Sequence, residues 1–373
     1  MEYITNEIDV EKVAAALGRE PLFAADTEAA GYHRYHDRIC LLQISTRDQT
    51  FLIDTLSVRD LSTLAPLFAD GKHEVVLHDA DYDLRLLARD HDIRIGGLFD
   101  TKLAAQLLGE PAFGLGALVE KYLGRRLDKK HQRADWAQRP LPPEMLAYAA
   151  EDTMHLPALR DRLRTELESA GRIHWAIEEF EIREQTRWDA AQTNGAGYLR
   201  LKNTRDLTPR QLAALRELHD WREEVAARRD VATFRVVGNE MLIAAARALP
   251  RDVRDLARTQ GVPGSIVDRY GVEMVAAVNR ALALRETELP RRERGPRRPP
   301  PDAEFDARVE KLKKVRDAAA DALGLDRGFL MPRQQLEAIA RQRPGDESEL
   351  MEVADMRRWQ IEALGRQLLA ALT

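Results

Sequence analysis

The chain has 373 residues, 44% hydrophobic and 32% charged, with a formal net charge of −5, so it is long enough for two or three domains. Its acidity excludes a polyanion partner held by an overall basic field; such a partner must be met by local patches or by bound cations. The one cysteine, Cys40, excludes an intramolecular disulfide, and neither a signal-peptide core nor a membrane-length apolar run is present, which together predict a soluble, cytoplasmic protein that engages no membrane.

In chain order, "PLFAADTE" (21–28) reads as the first strand, followed by "RICLLQIST" (38–46) and "TFLIDTL" (50–56). A helical pattern, "LSTLAPLFAD" (61–70), precedes a fourth apolar run, "EVVLHD" (74–79). Helical spacing then dominates: 82–91, 101–109, 114–124 and a long stretch over 142–167 with Pro142 and Pro143 at its start. Strands interleaved with helices predict an α/β domain with a mixed sheet. Beyond about residue 170 the pattern is helical and repeats. A shift of 94 positions pairs Arg222 with Arg316, Leu242 with Leu336, Pro250 with Pro344 and Asp252 with Asp346, which predicts two related helical modules. Between them "LPRRERGPRRPPPD" (289–302) holds five Arg and one Glu over 291–298. Its prolines predict a linker, read either as a solvated spacer or as an arginine contact to phosphate.

Chemistry concentrates at the end of the first strand. Asp26 and Glu28 lie two apart, so on a strand both project from one face. Two buried like charges are costly unless a hard divalent cation, which takes oxygen ligands, sits between them. Two further stretches offer acids. "LHDADYDL" (77–84) carries Asp79, Asp81 and Asp83, of which Asp79 is placed to cap the following helix. In "YAAED" (148–152), Tyr148 and Asp152 share a helix face at i and i+4.

"AADTE" (24–28), "LHDADYDL" (77–84), "FDT" (99–101), "LDKKHQRADWAQRPL" (127–141) and "YAAEDTMHL" (148–156) together resemble the tyrosine subclass of the DEDD 3′→5′ exonucleases, and within it the bacterial ribonuclease D family. The later modules are similar to HRDC domains, the second more diverged. The resemblance implies an RNase H-like exonuclease domain over 1–175, a helical connector over 176–204, an HRDC domain over 205–286, an Arg/Pro-rich linker over 287–303 and an HRDC-like domain over 304–373. It implies that Asp26, Glu28, Asp83 and Asp152 hold two divalent ions, Mg²⁺ or Mn²⁺. Tyr148 would orient the attacking water, with Asp81 the fallback for Asp83 and Asp100 in a structural role. Nucleotides would leave the 3′ ends of RNA, tRNA precursors and other structured RNAs among them, as 5′-mononucleotides, from a monomeric enzyme. The same chemistry on DNA, or a catalytically silent RNA-binding scaffold, are the alternatives. Lys129, Lys130 and Arg133 are read as contacts to substrate phosphate or as a solvated basic loop, and Trp136 as a packing anchor.

Overall fold

A computed structural model describes residues 1–128, 130–188, 197–291 and 302–373. Six strands form one sheet: β1 (Glu2–Ile4), β2 (Leu22–Ala29), β3 (Ile39–Ser45), β4 (Thr50–Ile53), β5 (Glu74–Leu77) and β6 (Leu98–Asp100), in the order β1-β4-β3-β2-β5-β6. The β2–β3 and β3–β4 pairs are antiparallel and the other three parallel, so the sheet is mixed, as the pattern predicts. β1 and β6 have three residues each, too few for a period of two to show in sequence. β2 is central. Its first four residues are buried, and from Asp26 onward it emerges from the core.

Around the sheet lie α1 (Glu7–Leu17), α2 (Ala65–Ala69), α3 (Asp81–His91), α4 (Thr101–Leu107), α5 (Leu115–Leu123), α6 (Pro143–Met154), α7 (Leu156–Ser169) and α8 (Ile173–Glu184). The long helix expected over 142–167 is two helices that meet at His155. Pro157 has no N–H for the Thr153 carbonyl and its ring crowds that carbonyl, which breaks the ladder there. α8 crosses the domain boundary expected at residue 175 and packs Phe180 against Phe99 of β6, with ring centroids 4.9 Å apart.

Among the described residues ten further α-helices follow: α9 (Pro209–Arg229), α10 (Thr233–Val236), α11 (Asn239–Ala248), α12 (Val253–Ala257), α13 (Gly264–Ala283), α14 (Ala303–Leu323), α15 (Arg327–Leu330), α16 (Arg333–Gln342), α17 (Glu347–Met351) and α18 (Arg358–Leu372). The first residues of α9 to α13 and of α14 to α18 differ by 94 in every pair. The residues that betray the repeat do matching work. Arg222 and Arg316, both buried, each donate from Nη1 to a carbonyl, Val237 and Met331, at 3.3 Å. Asp252 and Asp346 each cap a helix by accepting from the N–H three residues on. Residues 292–301, most of the expected linker, lie outside the described residues.

The two modules sit differently. The first encloses its own core, from Tyr198 to Leu289. The second shares one continuous core with the sheet domain. Trp175 of α8 stacks on Trp359 of α18, centroids 5.2 Å apart. The Glu178 carboxylate accepts from the N–H groups of Arg358 and Trp359 at 2.8 and 3.0 Å, so a side chain of the sheet domain caps a helix of the module.

Candidate active site

Three elements bring the acids together. β2 presents Asp26 and Glu28 at its emerging end, β5 runs into α3 with Asp83 in its first turn, and α6 packs across β2, β3 and β4 with Tyr148 and Asp152 one turn apart. A cleft of about 560 Å³ is lined by Asp26, Glu28, Tyr148 and Asp152, together with His78, Gln132 and Gly114 to Ala117. Asp83 is buried beside them, its Oδ1 accepting from Thr27 Oγ1 at 2.5 Å.

The electrostatics follow from this crowding. Burial first, then the charges of Asp83, Asp152 and Glu28, push the Asp26 carboxyl well above the usual range. Burial, then Asp152 and Asp83, does the same to Glu28. Burial carries Asp83 to about 7 despite the Thr27 hydrogen bond, and Asp152 to about 7 despite that of Tyr148. Burial and the charges of Asp152, Glu28 and Asp26 push the Tyr148 phenol far up, so it stays protonated. Among the described residues no lysine or arginine pairs with any of these four carboxylates. The Gln43 side chain, wholly buried, has no hydrogen-bond partner for either polar atom and stands directly opposite Asp26 in the sheet. Four oxygen donors that repel one another and lack a protein cation fit hard divalent ions by their chemistry. Among the described residues no three such groups are close enough to enclose an ion by themselves; the adjoining cleft offers space for water and substrate beside them.

Asp83 rather than Asp81 faces this cluster. Asp81 is held by Arg85 at 2.9 Å and Arg183 at 2.6 Å. Asp79 does not cap α3: it adopts φ 62° and pairs with Lys102 at 2.5 Å. Asp100 takes over, accepting from the N–H groups of Asp79 and Ala80 at 3.1 and 2.9 Å while capping α4 through Lys102 and Leu103. One carboxylate thus fastens the turn that delivers Asp83. Trp136 is 1% exposed, an anchor under α6 with its ring centroid 6.1 Å from that of Tyr148. Arg139 holds that segment down, donating to both Asp54 oxygens at 2.8 and 2.7 Å and to the Cys40 carbonyl at 2.8 Å.

The basic loop divides. Leu127, Asp128 and Gln132 line the cleft, but Lys130 and Arg133 do not. Arg133 lies over the Tyr32 ring instead, 5.7 Å from its centroid, and Lys129 lies outside the described residues. Four groups at or beside the cleft have no role assigned from the sequence: His78 and Gln132, although both lie in the quoted motifs, Gln43, and the N-terminus of α5. Burial holds His78 below its ordinary value. Thr101 Oγ1 donates to the Leu77 carbonyl at 3.1 Å and so accepts from His78 Nδ1 at 2.9 Å, which leaves Nε2 the lone-pair nitrogen. Gln132 stands four residues upstream of the Trp136 anchor, so a motif could have flagged it as well as His78.

A 3′-5′ exonuclease family model matches residues 1–168, and an HRDC domain model matches 211–278 and 305–372. The ribonuclease D of Nitrobacter hamburgensis is 31% identical, over 99% of this chain and 94% of its own length. The chain belongs to the ribonuclease D family. The crystal structure of Escherichia coli RNase D superposes on it with a TM-score of 0.72 at 26% identity, covering 99% of this chain and 98% of that one. The RRP6 catalytic core of Trypanosoma brucei gives a TM-score of 0.64 at 30% identity, covering 76% and 80%. This ribonuclease D-family chain is accordingly a 3′→5′ exoribonuclease. Both HRDC matches are offset by 94 residues, the period of the helical repeat.

Proposed function

We propose that the cleft hydrolyses the 3′-terminal phosphodiester of RNA with Asp26, Glu28, Asp83 and Asp152 as ligands to two divalent ions, Mg²⁺ or Mn²⁺, releasing 5′-mononucleotides. The observation that carries this reading is the meeting of Asp26, Glu28, Asp152 and the protonated Tyr148 in a single cleft, with Asp83 buried beside them and its charge acting on Asp26, and no protein cation among the described residues to compensate. Bound there, the ions would neutralise charge on the phosphate and acidify a water. On the family resemblance, Asp26, Glu28 and Asp152 would hold one ion, and Asp26 and Asp83 the other. Tyr148 keeps its proton and so orients the attacking water rather than deprotonating it. The N-terminus of α5, whose first turn lines the cleft with no side-chain cap, offers backbone N–H groups and the positive end of its dipole to a phosphate.

The substrates we assign are tRNA precursors and other structured RNAs with single-stranded 3′ tails, met by a monomer in the cytoplasm. No helix among the described residues is long and apolar enough to cross a membrane. The test compares wild type with Asp26→Asn on a 3′-labelled RNA, in Mg²⁺ or Mn²⁺ and then in EDTA, alongside a DNA of the same sequence. Loss of mononucleotide release on substitution and on chelation supports the site. Degradation that survives Asp26→Asn removes it, and equal turnover of DNA removes the RNA assignment.

A further inference from the structure

Four side chains cluster at the junction of the sheet domain and the first HRDC module, none of them lining the cleft. Tyr32, in the loop after β2, and Phe234, in α10, are 45% and 50% exposed with ring centroids 5.3 Å apart. Arg235 lies over both, 5.4 and 5.7 Å from their centroids, and Arg133 lies over Tyr32 at 5.7 Å. Neither arginine pairs with a carboxylate among the described residues. The other exposed aromatics, Tyr3 and Tyr82, are by contrast tied to Asp54 and Asp37 through their hydroxyls. The backbone beneath the cluster is fixed. Arg235 Nε donates to the Tyr32 carbonyl at 3.1 Å, the Ala232 N–H donates to the His33 carbonyl at 3.1 Å, and His33 Nε2 bonds the Arg133 carbonyl at 2.8 Å.

Two exposed ring faces beside two arginines without acidic partners fit one ligand chemistry: unpaired bases, which stack on aromatic rings, joined by phosphates, which attract guanidinium groups. Position supports the same occupant. Tyr32 is four residues beyond Glu28, at most about 14 Å along an extended chain. Arg133 directly follows Gln132, which lines the cleft. An RNA strand that left the cleft along this loop would meet the rings next. We propose that Tyr32 and Phe234, with Arg133 and Arg235, form a stacking platform for the bases of single-stranded RNA upstream of the 3′ nucleotides in the cleft. This makes α10 the part of the first module that touches substrate, and it rests on the exoribonuclease reading of the cleft.

The test is equilibrium binding, independent of cleavage, of a fluorescent oligoadenylate to the full chain in EDTA, with a long tail and with an oligonucleotide too short to leave the cleft. Alanine at Phe234 or Tyr32 should weaken the long tail by about five- to 100-fold, the cost of one lost base stack, and change the long-to-short affinity ratio by a similar factor. Phe234→Trp should keep tight binding, and Phe234→Leu, which keeps apolar bulk without a ring face, should not. Arg235→Gln should reduce the salt dependence of long-tail binding. Leucine as good as phenylalanine, or equal losses for both lengths, would show a domain contact rather than a stacking site and overturn the proposal. Unchanged affinity in every variant overturns it too, while the cleft reading survives if Asp26→Asn still abolishes hydrolysis. Wild-type protein that binds neither RNA overturns the platform, while the hydrolysis assay with Asp26→Asn in Mg²⁺ or Mn²⁺ decides the cleft reading separately.

Discussion

Thr27 donates its hydroxyl proton to Asp83 across 2.5 Å, joining the strand that carries Asp26 and Glu28 to the helix that carries the third acid. The two residues are 56 positions apart in sequence. The bond sets where one Asp83 oxygen points and leaves the other for the cluster. Thr27→Val keeps shape and removes the donor. It should lower turnover by about 10- to 100-fold, as a misplaced ligand does, and raise the metal concentration needed for half-maximal rate, with little change in melting temperature. A metal titration of rate for both proteins checks this, and superimposable curves would dismiss the bond as incidental.

The acid cluster should oppose folding in metal-free protein as pH rises. Asp83 and Asp152 have folded values of about 7 against about 3.9 unfolded. Between these values the folded state binds more protons than the unfolded, so stability falls as pH climbs through the window and stays low above it. Asp152→Asn should therefore raise the stability of the metal-free protein at pH 8 by about 1–2 kcal/mol while abolishing hydrolysis. Thermal melts in EDTA at pH 5 and pH 8 measure it. Equal melting shifts at both pH values would contradict the sign.

Asp54 should behave in the opposite sense. Burial pushes it up, but hydrogen bonds from Arg139 and Tyr3 and the Arg139 charge prevail and hold it at about 2. Its contribution is present above the unfolded value and is lost as pH falls through about 2. Arg139→Met strands a carboxylate that is 2% exposed and should cost about 3–5 kcal/mol at neutral pH, with Trp136 and α6 loosened. Urea denaturation checks the figure; a loss within error of zero would mean the pair is not needed.

The division of cores predicts how the protein unfolds. Trp359→Ala empties a side chain that is 1% exposed in the core shared by the sheet domain and the second HRDC module. It should cost about 3–5 kcal/mol and lower the transition of both together. Leu218→Ala, in the separate core of the first module, should move only a second transition. Calorimetry resolves the two; three independent transitions would refute the shared core.

Much of this was legible in the linear chain because its signals are local. Strand period two placed Asp26 and Glu28 on one face, helical spacing placed Tyr148 and Asp152 one turn apart, and a 94-residue echo of Arg, Pro and Asp exposed a repeat whose helices start in register. These patterns are set by backbone geometry within a few residues or by duplication, and neither needs the fold to be known.

What tertiary structure alone decided is which of several equivalent-looking groups meet. Local pattern alone leaves Asp79, Asp81 and Asp83 open and the family resemblance favours Asp83; the structure supplies the reason, since Arg85 and Arg183 hold Asp81 and Lys102 holds Asp79. Asp100 displaced Asp79 as the anchor of that turn through β5–β6 pairing. The second module joined the sheet domain through Trp175 and Trp359, 184 residues apart and 5.2 Å between centroids. Such choices depend on contacts between distant segments, whose free energies are fixed only when the sheet order and helix packing bring the competitors face to face.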